Sequence, residues 1–194
     1  MSSVGDQMQQ VAIGWQLYLL TNSPLQVGLV GAVRSVPFIA LSLAGGALAD
    51  AMDRRRMLWI TNALQTMTTM VLVVTTMTGT ISPHLIYAMA FIQGGTTAFD
   101  APTRQAMIPN LVPRPELTNA FTLNTLLRQT SVIVGPAVGG VVIASFGLGW
   151  TYTANAISFV AVVLAVILIR PMPRVQRSSG GAWERVVGGW RFAR

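Results

Sequence analysis

The fold of this chain is decided by one short polar stretch, Gly46-Ala-Leu-Ala-Asp50-Ala-Met-Asp53-Arg54-Arg55-Arg56. It joins two apolar runs, at about 25–49 and 57–77. Each run is long enough to cross a bilayer, which takes about 20 mostly apolar residues. A charged loop between two such runs is typical of a protein that crosses the membrane more than once.

Composition supports a membrane protein. Of the 194 residues, 52% are hydrophobic and only 10% are charged, against about 25% charged in a typical soluble domain. There is no cysteine and a single histidine, so the sequence predicts no metal site. It also lacks a cofactor motif, a Ser/His pair and a paired-carboxylate constellation, so we expect neither a cofactor nor an enzyme.

The turn signals divide the chain into six candidate membrane spans, at 4–20, 25–49, 57–77, 84–99, 120–146 and 150–169. The loops after the second, fourth and sixth spans are rich in arginine, whereas those after the first, third and fifth have none. Positive residues stay on the cytoplasmic side. We therefore predict a multi-pass protein of the plasma (inner) membrane with both termini in the cytoplasm.

The opening stretch resembles the signature between the second and third helices of the major facilitator superfamily. The matching residues are Gly46, Asp50, Arg54, Arg55 and Arg56. Ala51 and Asp53 stand where the family usually has a basic residue and a glycine. This resemblance implies a cytoplasmic gate formed by the matching residues together with Asp100. The alternative is a surface cluster of charges that mainly fixes topology.

A second motif lies in the fifth span, Gly135-Pro136-Ala-Val-Gly139-Gly140. It is similar to an element in the fifth helix of drug and proton antiporters. Ordinary close packing of two helices also uses such small residues. The segment 93–113 and the flanks of the first loop resemble the branch with macrolide efflux pumps and enterobactin exporters. Ala90, however, stands where many proton antiporters have an arginine.

The resemblance implies the N-terminal half of a twelve-helix exporter. This half is an all-α bundle at 1–171, built as two inverted three-helix repeats. Residues 172–194 then form a basic cytoplasmic linker, with a candidate amphipathic helix on anionic lipid. Such a half needs the missing C-terminal half or a second subunit as partner. The short, membrane-attached linker argues against nucleic-acid binding.

Ionisable residues at membrane depth are costly and mark functional candidates. Three qualify: Asp6, Arg34 and Arg128. Asp6 and Arg128 are expected to interact across a cavity, either as a static ion pair that positions the helices or with Asp6 carrying a proton during exchange. The polar residues expected to line the cavity are Gln16, Gln93, Asn124, Gln129 and Asn155.

The predicted function is secondary-active efflux of a small amphipathic molecule, drug-like or siderophore-like, coupled to protons. Two alternatives stay open. The chain is a membrane binding or assembly subunit that does not transport, or it is an inactive fragment.

Overall fold

The computed structural model describes residues 2–51 and 54–168, and within them the chain is helical and has no strand. The six helices are α1 (Ser2–Thr21), α2 (Pro24–Ala51), α3 (Arg54–Met77), α4 (Pro83–Leu111), α5 (Leu117–Phe146) and α6 (Leu148–Leu168), with a 3₁₀ turn at Arg114–Glu116 before α5. The all-α prediction is confirmed. The predicted linker at 172–194 lies outside the described residues.

The helix ends follow from local chemistry. Ser82 caps α4 by accepting a hydrogen bond from the Leu85 amide at 3.3 Å, and Pro83 follows it in the first turn. At the C-terminal end of α5, the helix stops at Gly147, which adopts φ 87°. Its amide still donates to the Ile143 carbonyl at 3.0 Å. These short turns let successive helices pack beside each other.

Helix α4 is longer than the sequence predicted. The prolines at 102 and 109 indicated a separator from residue 100 onward, but α4 continues to Leu111. Pro102 has no amide hydrogen to donate to the Ala98 carbonyl, and membrane helices tolerate such a loss where neighbouring helices surround the site. Here α3 lies beside α4, and Arg104 donates to Asn62 Oδ1 at 3.0 Å. The apolar run ends at 99, whereas the helix does not.

Three segments are long and apolar enough to span a membrane by themselves: Pro24–Ser42, Arg56–Met77 and Arg114–Phe146. The segment Leu148–Val163 is apolar but shorter. Helices α1 and α4 carry polar side chains that lower their mean hydropathy, among them Gln9, Gln16 and Gln93, and these are buried inside the protein. The described helices therefore belong to a membrane protein.

The bundle is held by a few extensive helix pairs. Helix α2 packs mainly against α4, α3 against α6 and α1 against α5, while α3–α4 and α1–α6 close the bundle. A small apolar core lies where α1, α3, α4 and α6 meet, formed by Ala12, Ile13, Leu17, Leu72, Ile86 and Tyr152. Helix α5 has one long uncovered stretch, with residues 121–130 all exposed.

Glycines set the closest approaches between helices. A Cβ on Gly94 of α4 would overlap the carbonyl oxygen of Arg34 in α2. A Cβ on Gly135 of α5 would overlap the side chain of Gln7 in α1 and lie 3.1 Å from the Val4 carbonyl oxygen. Small residues of this kind allow backbones of membrane helices to touch.

Gly94→Ala is expected to destabilise the bundle because the added methyl group meets backbone rather than a movable side chain. Overpacking of this kind costs about 1–3 kcal/mol of unfolding free energy. Thermal unfolding of the purified protein in detergent measures it. Gly31→Ala is the matched control, since nothing lies within 4 Å of its added Cβ, and it should unfold no earlier than the parent. Equal melting of both variants would contradict the close approach of α2 and α4.

Candidate functional site

A neutral polar seam joins α1 to α3 and α6. The Gln9 Oε1 accepts hydrogen bonds from the Thr69 hydroxyl at 3.0 Å and from Asn155 Nδ2 at 2.7 Å. Two turns further along the same face of α1, Gln16 Oε1 accepts from the Tyr152 hydroxyl at 2.7 Å. These side chains are buried. Amide and hydroxyl groups that point into a membrane bundle are satisfied across helices in this way.

A second polar seam joins α3 to α4. Gln93 Nε2 donates to the Thr68 hydroxyl at 3.3 Å, and Gln65 Nε2 donates to the Thr96 hydroxyl at 3.4 Å. All four side chains are buried. Thr68 also donates to the carbonyl of Gln65 one turn earlier, at 3.0 Å. The seam therefore fixes the register of α3 against α4.

The α3–α4 seam ends in a charged cluster. Asp100 forms an ion pair with Arg104, with 2.5 Å between Oδ2 and Nε, and accepts hydrogen bonds from Thr61 at 3.2 Å and Asn62 at 3.3 Å. Arg104 donates in turn to Asn62 Oδ1 at 3.0 Å. The Arg104 side chain is 42% exposed and that of Asp100 is 13% exposed. The pair is thus open to solvent or to a neighbouring surface on one side.

Asp6 lies near this cluster, on α1. Its carboxylate is hydrogen-bonded with Asn155, and the cations that act on it are Arg104 and then Arg34, with Asp100 opposing them. At about 1.5 Å per residue, Asp6 is roughly 22 Å from the end of the bundle where α1 ends and α2 and α4 begin. Arg34 is about 15 Å and Arg104 about 31 Å from that end. Asp6 is therefore bracketed in depth by two arginines.

The other predicted site residues are placed as follows. Gln16 and Gln93 lie buried between helices, in the two seams. Asn124 and Arg128 are exposed on α5, and Arg34 is partly buried on α2. The interaction of Asp6 with Arg128 stays a prediction.

Some residues of the two sequence motifs are buried, some are exposed, and others have side chains outside the described part. In α5, Gly135 and Gly139 are buried against α1, Pro136 is partly buried, and Gly140 faces open space. In the gate stretch, Arg56 is exposed at the start of α3. Gly46, Asp50, Arg54 and Arg55 belong to helices α2 and α3, but their side chains lie outside the described part. The gate with Asp100 therefore stays a prediction.

Sequence reasoning named Asn155 as a cavity-lining residue but not as the partner of Gln9, and it missed Asn62 and Arg104 as partners in the α3–α4 seam. One signal was available, since Gln9 and Gln16 are seven residues apart and thus share a face of α1. Helix α3 carries a similar polar stripe of Asn62, Gln65 and Thr69. Stripes of this kind on apolar helices mark faces that contact protein. Among the described residues, no group of acidic, histidine or cysteine side chains is suited to a metal ion.

Gln9→Leu should destabilise the bundle because it leaves the Thr69 hydroxyl and the Asn155 amide without their shared acceptor. The expected loss is about 1–2 kcal/mol, the upper part of the range for hydrogen bonds between membrane helices. Thermal unfolding in detergent provides the measurement. Gln10→Leu is the matched control, since Gln10 is exposed, and it should melt with the parent. If both variants melt together, the α1–α3–α6 seam contributes nothing to stability.

Known proteins match this chain over most of its length. The family model described as transmembrane secretion effector matches residues 1–194. The chain is 31% identical over 170 residues to the staphyloferrin A transporter of Staphylococcus aureus, covering 87% of this chain and 42% of that protein. It is 25% identical over 183 residues to the enterobactin exporter EntS of Salmonella choleraesuis, covering 94% of this chain and 44% of the exporter.

A third relative, the uncharacterized transporter YfiS of Bacillus subtilis, is 25% identical over 174 residues, which cover 89% of this chain and 40% of YfiS. The chain spans less than half of the length of each of these relatives. The predicted membership is confirmed: the chain belongs to the transmembrane secretion effector family of major facilitator superfamily transporters and corresponds to the N-terminal half of such an exporter.

Proposed function

We propose that the chain is the first half of a proton-driven exporter of small amphipathic molecules. The observation that supports this most is the position of Asp6, an acid at membrane depth between two arginines of other helices. An ionisable residue in such a place is costly unless it serves transport or pairing. Asp6 exchanges a proton in the proposed cycle, and Arg34 and Arg104 compensate its charge when the proton is lost.

The proposal includes six membrane spans arranged as two inverted three-helix repeats, with both termini cytoplasmic. In two such repeats, α1 is equivalent to α4, α2 to α5 and α3 to α6. The contact between α2 and α4 is then equivalent to the contact between α5 and α1, and the α3–α4 contact is equivalent to the α6–α1 contact. These are among the most extensive contacts of the bundle. A contact pattern that maps onto itself supports two related repeats. The arginine distribution supports the orientation.

A second six-helix unit would complete the transporter. Helix α5 exposes Asn124, Arg128 and Gln129 along a stretch within a candidate membrane span. Lipid does not solvate such groups, whereas a water-filled cavity between two halves does. The proposed substrate pathway therefore runs along this face of α5. The names of two relatives, a staphyloferrin A transporter and an enterobactin exporter, support a siderophore-like substrate, and drug-like amphiphiles are the other class to test.

Asp6→Asn tests the coupling. Everted membrane vesicles that contain the gene product, expressed from its own reading frame, are energised to acidify their interior. We expect uptake of enterobactin or staphyloferrin A that collapses when a protonophore is added. With Asp6→Asn, the uptake driven by the pH gradient should fall to the level of vesicles without the protein, because the amide cannot exchange a proton at this site.

Glu116→Gln is the matched control, since Glu116 is an exposed acid in the 3₁₀ turn before α5, and its uptake should equal that of the parent. Unchanged uptake with Asp6→Asn shows that Asp6 is not the coupling residue, although the protein still exports the substrate. Substrate binding without any uptake by the parent protein instead favours a binding or assembly subunit.

The proposed gate combines the Asp100–Arg104 pair with Asp50 and the arginines at 54–56. Because Arg104 is largely exposed, its pair with Asp100 contributes at most about 1 kcal/mol to stability. The Asp100→Asn variant should therefore melt at nearly the same temperature as the parent. It should transport more slowly, because it loses a charge contact that differs between the open and closed states. Initial uptake rates in the same vesicles measure this. Unchanged rates with a lowered melting temperature would assign Asp100 a structural role only.

A further inference from the structure

An apolar groove lies between α2, α3 and α4, on the outer side of the α3–α4 seam. Its volume is about 370 Å³. Helix α2 contributes Pro37 and Leu41, α3 contributes Ile60 and Leu64, and α4 contributes Phe91 and Ile92. Several of these side chains are exposed, including Ile60 at 42% and Phe91 at 50%. The groove therefore opens on the outer surface of the bundle.

The groove exists because α2 and α3 make little direct contact within the described residues. Among the described residues, both helices pack on α4 but not extensively on each other, whereas α5 and α6 do make direct contact. Gly95 of α4 forms part of the lining. A Cβ at this position would lie 3.2 Å from the Leu41 side chain, so the glycine keeps the base of the groove wide.

The groove has no free polar group to offer a ligand. Its two hydroxyl residues, Thr61 and Thr96, both donate to backbone carbonyls one turn earlier, at 3.2 Å and 2.9 Å. Each also takes part in the α3–α4 seam, through Asp100 and Gln65. The part of a ligand that enters the groove is therefore hydrocarbon.

The groove begins at the charged end of α3. Its α3 lining starts at Met57, directly after the exposed Arg56, and extends to Leu64. Seven residues rise about 10 Å, which is two-thirds of a leaflet of roughly 15 Å. A hydrocarbon chain that enters beside Arg56 thus runs from headgroup level toward the bilayer centre. In the sequence, Arg56 follows two further arginines.

We propose that this groove binds one acyl chain of an anionic phospholipid whose phosphate pairs with Arg56. Lipid tails are as apolar as the lining, so the tail alone gives no preference over bulk lipid. Selection comes from the headgroup, because basic residues at the membrane surface attract anionic lipid. The assignment rests on the membrane location of the helices and not on transport, so it stands or falls separately from the proposed export.

Photolabelling tests the assignment. The protein is reconstituted in phosphatidylcholine nanodiscs that contain a small fraction of phosphatidylglycerol with a diazirine on its acyl chain, and labelled residues are located by mass spectrometry. A phosphatidylcholine probe with the same chain is the comparator. We expect phosphatidylglycerol to label the groove, at Ile60, Leu64 and Ile92, more strongly than phosphatidylcholine does. Arg56→Gln should lower this ratio about five-fold, the value of one basic residue at the surface.

Two matched controls make the result specific. Arg114→Gln removes an exposed arginine of the 3₁₀ turn before α5, away from the groove, and should leave the ratio unchanged. Ile60→Trp fills the groove and should abolish labelling of Leu64 and Ile92, whereas Ile133→Trp, on the exposed face of α5, should not.

Three outcomes overturn the proposal. Equal labelling by the two probes shows that the groove binds an acyl chain without selecting the headgroup. Groove labelling no stronger than labelling around Ile133 shows ordinary boundary lipid. An equal effect of Arg56→Gln and Arg114→Gln shows a general charge effect of the protein surface.

Discussion

The structure depends on one constraint: a polar group carried into a membrane by a helix must find its partner inside the protein. Within the described part of the chain, no buried side-chain nitrogen or oxygen lacks a hydrogen-bond partner. Helix α3 supplies many of these partners. The Thr69 hydroxyl donates to Gln9 of α1, and the Thr68 hydroxyl accepts from Gln93 of α4. The position of α3 between α4 and α6 follows from this double role.

The cross-helix hydrogen bonds require that the backbones come close, and glycine provides this where a side chain would not fit. Gly5 leaves room for Asn155, whose amide then reaches Gln9 at 2.7 Å. Gly94 brings α4 against α2, next to the Gln93 that bonds with α3. Each such bond is worth only about 0.6 kcal/mol on average in a membrane protein. The bundle is therefore stabilised by packing at the glycines as much as by the bonds that the packing permits.

The helices were largely predictable from the sequence because apolar runs and turn residues are local signals. The continuation of α4 past Pro102 was not, because its contacts with α3 join residues distant in sequence, such as Arg104 and Asn62. The site was predictable in residue type but not in pairing. Asn155 and Gln9 lie 146 residues apart, and no spacing rule joins them. Depth alone favoured Arg128 as the partner of Asp6, and this pairing stays a prediction because depth does not specify which face of α5 the arginine occupies.

The two seams differ in a way that bears on the proposed cycle. The α1–α3–α6 seam contains amides and hydroxyls that stay neutral near neutral pH, and its Asn155 is also hydrogen-bonded with Asp6. The α3–α4 seam ends in Asp100 and Arg104, and Asp6 lies within the field of that pair. A proton taken up by Asp6 removes one negative charge between Arg34 and Arg104 while the neutral seam keeps the helices in register. In the proposed exporter, protonation therefore changes the charge balance at one end of a bundle whose core stays fixed. This separation allows a local charge change to act on the gate without unfolding the half that carries it.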